Sequence, residues 1–127
     1  MTATDIGRRH SAIAARAAAD KKATDVVILD VSDILAVAET FVIASATNAR
    51  QVRTIAEEVE EHLKIEADVA PRQIEGLSDA SWVLLDYGDV IVHVFLAATR
   101  AYYDLDRLWA DAPRIDWDDE SEAAAGP

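Results

Sequence analysis

Two apolar runs, Trp82–Tyr87 and Val90–Phe95, flank the pair Gly88-Asp89, and this arrangement constrains the chain more than any other. A two-residue loop of that kind closes a tight β-hairpin. Counting outward from it, Tyr87 faces Val90, Leu85 faces Val92 and Val83 faces Val94, which makes one apolar face. The other face pairs Asp86 with Ile91, Leu84 with His93, and Trp82 with Phe95. A slip of one residue would exchange the two faces, so the register decides which set is buried. The first set belongs on a core. The second combines large apolar groups with a carboxylate and an imidazole, and it is either covered by a helix or kept for a partner.

The rest of the chain supplies a scaffold for that hairpin. Residues 4–20 are alanine-rich and predict a helix with a narrow apolar stripe of Ile6, Ile13 and Ala17, which must lean on a sheet. Val26–Leu29 and Phe41–Ala46 read as strands, the first buried on both faces. Asn48 followed by Gln51 is a helix start. From Ala49 to Lys64, Val52, Ile55, Ala56, Val59 and Leu63 keep the helical period, while Glu57, Glu58, Glu60 and Glu61 take the wet side. Ile65–Val69 is expected to be a short third strand, residues 72–81 a loop, and residues 99–110 a final helix. These elements give an α/β fold, a mixed five-stranded sheet with helices packed on it. Residues 1–113 then form one domain, and 114–127 an acidic, disordered tail.

Composition narrows the possible functions. With 24 acidic and 12 basic side chains the net charge is −12, a field that repels phosphate backbones and attracts basic proteins. Direct nucleic-acid binding is therefore not expected. The chain has no cysteine, no signal-peptide pattern at its start, and no apolar run near the roughly 18 residues of a membrane span. A soluble cytoplasmic protein is expected.

Catalytic patterns are weak. No serine sits in a G-x-S-x-G elbow, and the glycines are too scattered to cradle phosphate. His10, His62 and His93 show no ligand spacing with one another, so no metal is expected. Asp30, Asp86 and Asp89 lie near strand ends, where a two-metal phosphoryl-transfer centre would hold magnesium. The paired strand aspartates of such a centre are missing, and capping of the hairpin explains Asp86 and Asp89 more simply. His93 has Asp86 as a diagonal candidate partner.

Taken together, Trp82–Phe95, Arg100–Trp109 and Asp111–Pro113 resemble the ribosomal silencing factor family, also called Iojap-like. Lys22–Asp25, Leu29–Val31, Phe41–Ser45, Arg50–Val52 and Glu75-Gly76 add to the match, which spans residues 20 to 113. The resemblance implies a nucleotidyltransferase-like fold without catalytic residues, no cofactor, and no enzymatic activity. It implies docking on large-subunit ribosomal protein fourteen, steric exclusion of the small subunit, and repression of translation under nutrient limitation. It also implies possible homodimers, and organellar relatives suggest a role in large-subunit assembly. The chain departs from the family pattern at Glu39-Thr40, where an aspartate and an aromatic are usual, and at Ala46, where glycine is usual.

Transferred to this sequence, the hairpin's second face becomes the partner-binding surface. Trp82 is the expected anchor, with Leu84, Ile91 and Phe95 supplying apolar area. Asp86 would pair with a basic side chain, and Tyr87 and His93 would shape the rim. Two other classes compete: a metal-dependent nucleotidyltransferase-like enzyme, and an obligate dimer that buries this face against itself.

Overall fold

A computed structural model describes residues 3–117. The elements in chain order are α1 (Asp5–Asp20), β1 (Thr24–Asp30), β2 (Thr40–Ala46), α2 (Ala49–Ala67), β3 (Gln73–Glu75), β4 (Trp82–Asp86), β5 (Val90–Leu96), α3 (Ala97–Tyr102), α4 (Leu105–Leu108) and β6 (Arg114–Ile115). The sheet has six strands in the order β3-β4-β5-β2-β1-β6, one more than expected. Only β2 and β5 run parallel; the other neighbours are antiparallel.

The hairpin forms in the expected register, with Trp82 opposite Phe95, Leu84 opposite His93 and Asp86 opposite Ile91. Gly88 takes a positive φ of 91°, as its loop requires. The face made by Val83, Leu85, Val92 and Val94 is fully buried beneath α1 and α2. On α2 the predicted stripe, Val52, Ile55, Ala56, Val59 and Leu63, points into this core. Each large aliphatic side chain so buried contributes about 1.5–3 kcal/mol.

Helix α2 is anchored at its start by two reciprocal bonds. Gln51 N–H donates to Asn48 Oδ1, while Gln51 Oε1 accepts from Thr47 N–H, each at 2.8 Å. The same glutamine amide donates to the carbonyls of Lys21 and Lys22, tying down the end of α1.

Helix α1 packs mainly through alanines. Ile6, expected in its stripe, is 62% exposed, and Ala14, Ala15 and Ala18 are buried instead. Close packing of small side chains also buries Ser11, whose hydroxyl bonds to the Gly7 carbonyl and to Thr40 Oγ1.

Three expectations need correction. Ile65–Val69 is not a strand, because α2 continues to Ala67 and closes at Asp68 in a left-handed conformation, with φ of 54°. The period-two pattern of Ile65, Ala67 and Val69 fits a strand, but continuing a helix needs no sheet partner, and Ile65 is left exposed. The third strand comes instead from Gln73–Glu75, which lies within the segment read as a loop and pairs with β4. The single C-terminal helix is in fact two short ones, broken where Asp104 takes a φ of 51°.

The reversal lets Leu105 and Trp109 join a second core made by Leu29, Val31, Phe41, Ile43 and Phe95 on the other side of the sheet. Arg100 fixes that reversal from inside. It is 6% exposed and donates to Asp106 Oδ1, the Asp25 carbonyl and Ser45 Oγ.

Strand β6 lies past the expected boundary at residue 113. Arg114 and Ile115 pair with Leu29 and Ile28, and the Trp117 indole donates to the Val26 carbonyl. The remaining tail lies outside the described residues.

Candidate partner-binding surface

The C-terminal helices cover the second face of the hairpin on its β5 side, over Phe95, and leave it open along β4. Trp82 is 40% exposed there, and Leu84, Asp86 and Ile91 are partly exposed. Strand β3 widens this surface, since Glu75 pairs with Leu84 and Gln73 with Asp86, and both point outward. Neither was part of the expected site, because the sequence there, with Gly76 and several polar residues, resembles a loop.

Two members of the expected set share the face without being exposed. Phe95 is 2% and His93 8% exposed. Phe95 is therefore a support beneath Trp82, with ring centroids 4.8 Å apart, and His93 is not a rim residue. A third, Tyr87, lies on the opposite side and packs against the helix-covered core. Its hydroxyl is buried with no hydrogen-bond partner, and burial, helped by the nearby Glu60 charge, pushes its pKa above the ordinary value.

His93 takes Trp82 as its partner in place of the expected Asp86. The indole Nε1–H donates to His93 Nδ1 at 3.1 Å. Nδ1 is thus an acceptor, which in a neutral ring puts the proton on Nε2. That second nitrogen is buried without a hydrogen-bond partner. Phe41 meets the imidazole edge-on at 4.7 Å, and Phe95 stacks parallel to it at 5.9 Å. Burial in this aromatic setting holds the His93 pKa down to about 4, so the ring is neutral at physiological pH.

Asp86 has internal duties. Its Oδ1 accepts from Gly88 N–H at 2.8 Å and lies 3.5 Å from Arg72 Nη2. These bonds brace the hairpin loop, and they leave Glu75 as the more exposed carboxylate of the face.

Trp82 itself is placed by a residue the sequence reading did not single out as part of the site. Gly76 has a φ of 88°, and a Cβ built on it would stand 2.1 Å from the Trp82 carbonyl oxygen. Only glycine permits this approach. A glycine between polar residues was the signal, but nothing in the sequence says which backbone comes near it.

The carboxylates considered for metal chemistry do not gather. Asp30 is buried and accepts from Ala3 N–H, Ser32 N–H and Ser32 Oγ. Burial opposes its ionisation, yet these bonds outweigh it and hold the carboxyl below its ordinary pKa. Among the described residues, Asp20, Glu58 and His62 are the one group with metal-capable atoms within 4.8 Å of one another, and they lie on α1 and α2. Both imidazole nitrogens of His62 already bond to Glu58 and Glu66, which accounts for that convergence without an ion.

Residues 6–127 match the profile of the family described as "Ribosomal silencing factor during starvation". The chain belongs to the ribosomal silencing factor family. It is 43% identical over 106 residues to the Bacillus subtilis protein named Ribosomal silencing factor RsfS, covering 84% of this chain and 89% of that one. It is 32% identical to the maize Protein Iojap, chloroplastic, over 80% of this chain and 44% of that one. A crystal structure of a Chromobacterium violaceum protein superposes with a TM-score of 0.76 at 39% identity, covering 80% of this chain and 84% of its own. A ribosomal silencing factor domain thus accounts for the α1–β6 architecture.

Proposed function

We propose that this protein is a translational repressor that docks on the large ribosomal subunit through the Trp82 face and keeps the small subunit from joining. The observation that carries the reading is the exposed indole. It stands beside partly exposed Leu84 and Ile91 on a stretch of sheet that the molecule's own helices leave uncovered. A large aromatic with apolar neighbours, ringed by polar groups, is the composition of an interface centre. The family's name adds silencing of ribosomes to that geometry. A net charge of −12 favours a basic protein over bare RNA as the point of contact, and large-subunit ribosomal protein fourteen is the candidate. The action is steric, cytoplasmic and starvation-linked, and it requires no catalysis and no cofactor.

The deciding experiment mixes purified protein with large subunits, then adds small subunits and follows joining by light scattering. Co-sedimentation with free large subunits, and slower joining, would support the proposal. Binding to already joined ribosomes with no effect on joining would refute it. Sedimentation at several concentrations separates a competing case, a homodimer closed through Trp82, because such a dimer would lose ribosome binding as it forms.

A further inference from the structure

The exposed Trp82 and the buried His93 form a unit whose two halves have different accessibility. The indole is 40% exposed, whereas the imidazole is 8% exposed and lies beneath it. The indole's only polar atom points inward, to His93 Nδ1 at 3.1 Å. The imidazole has little freedom to move, since Phe41 closes on its edge at 4.7 Å and Phe95 stacks at 5.9 Å with 4° between the planes. Phe95 also lies 4.8 Å from the indole, so one ring braces both. An exposed tryptophan on a strand ordinarily samples several rotamers and presents its N–H to whatever approaches.

We propose that His93 is a positioning residue for partner docking: it holds Trp82 in one orientation by its N–H, so that a partner meets a fixed carbon surface and not a hydrogen-bond donor. The inference rests on the reading of the Trp82 face as the docking site, and it specifies the chemistry of what lands there. With the N–H already engaged, an acceptor such as a carbonyl gains nothing at this ring. A lysine or arginine fits, with its stem lying along the indole and its charge attracted both to the ring face and to Glu75 and Asp86 on the same surface. Holding the ring before contact also removes the ordering cost of an exposed anchor.

The test is a double-mutant cycle of Trp82→Phe and His93→Phe, read as affinity for purified large subunits, together with the indole N–H signal in two-dimensional NMR. His93→Phe replaces one buried ring by another and takes away the Nδ1 acceptor together with an Nε2–H that has no hydrogen-bond partner. It should weaken binding about fivefold in the wild-type background and by less than twofold when Trp82 is already Phe. Equal losses in both backgrounds would overturn the inference, since His93 would then act by some route other than the indole. In the wild-type protein the Trp82 indole N–H should exchange with water at least tenfold more slowly than a free indole, despite the ring's exposure. Exchange at the free rate would also overturn it, even if His93→Phe failed to fold. The two levels of the argument fail separately. If Trp82→Ala abolishes binding and His93→Phe leaves it unchanged, only the positioning role is lost. If Trp82→Ala binds like wild type, the docking face is wrong and the positioning role falls with it.

Discussion

Gly76 passes so close to Trp82 that a single added carbon would stand 2.1 Å from the tryptophan's carbonyl oxygen. Gly88, at the hairpin tip, has a similar positive φ but meets nothing nearer than the Arg72 guanidinium at 3.6 Å. Gly76→Ala should therefore destabilise by about 3 kcal/mol, combining backbone strain and overpacking, and Gly88→Ala by about 1 kcal/mol from strain alone. Urea unfolding of the two variants checks the order, and equal losses would mean that the close approach at Gly76 is absent.

Arg100 joins α3 and α4 to the ends of β1 and β2 through Asp106, the Asp25 carbonyl and Ser45. Arg100→Met removes a buried charge but takes the donor from all three acceptors, and a loss of about 2–4 kcal/mol is expected. Arg100→Lys should recover little, because one ammonium does not reproduce the guanidinium fork. Amide exchange in residues 97–108 would rise first in both variants if this network holds the C-terminal helices down.

Acid should weaken the fold through His93. Its pKa is lowered from the ordinary 6.5 to about 4 in the folded state, so above pH 6.5 the ring is neutral whether folded or not. As pH falls from 6.5 toward 4 the unfolded chain takes up the proton first, and up to about 3 kcal/mol of stability is lost. His62 acts in the opposite sense. The hydrogen bond to Glu66, reinforced by Glu58, raises its pKa, so its contribution is complete below 6.5 and fades as pH rises through the folded value. That pair of contacts is well solvated and contributes no more than about 0.5 kcal/mol. Stability measured by urea between pH 4 and 8 should fall toward acid in the wild type. The profile should be flatter in His93→Leu and nearly unchanged in His62→Gln.

Anchor and rim should separate kinetically. Trp82→Ala is expected to weaken large-subunit binding at least tenfold, chiefly by faster dissociation, while circular dichroism stays native. Glu75→Gln, on the same face but exposed, should mainly slow association and reduce its salt dependence. Stopped-flow traces at two ionic strengths distinguish the two effects.

Much of this arrangement was legible in the residues themselves. Gly88-Asp89 between two apolar runs set the hairpin and its register, and the period of Val52, Ile55, Val59 and Leu63 set α2, because both are local rules of spacing. What remained hidden depends on contacts distant in sequence. Ile65–Val69 has a strand's alternation, and Gln73–Glu75 has neither length nor hydrophobicity, yet it is the latter that lies beside β4. Alternation alone puts Trp82, Leu84 and Ile91 on one face, and the family resemblance makes that face the candidate. The burial of Phe95 was not legible, since it depends on Leu105 folding back after Asp104 turns the chain, and that of His93 depends on Phe41 and Trp82 closing around it. The parity of Tyr87 puts it with Leu85 and Val83, on the helix-covered side and away from the rim.

The short pairing of Arg114 and Ile115 with β1 has a practical meaning for anyone trimming the acidic end of the chain. A truncation at residue 113 would strip the cover from part of a seven-residue strand and leave its amide groups free to recruit a second molecule. Such a fragment should aggregate as it is concentrated, where one ending after Trp117 stays monodisperse in light scattering. On that outcome, the last two residues of the sheet would be its guard against self-assembly.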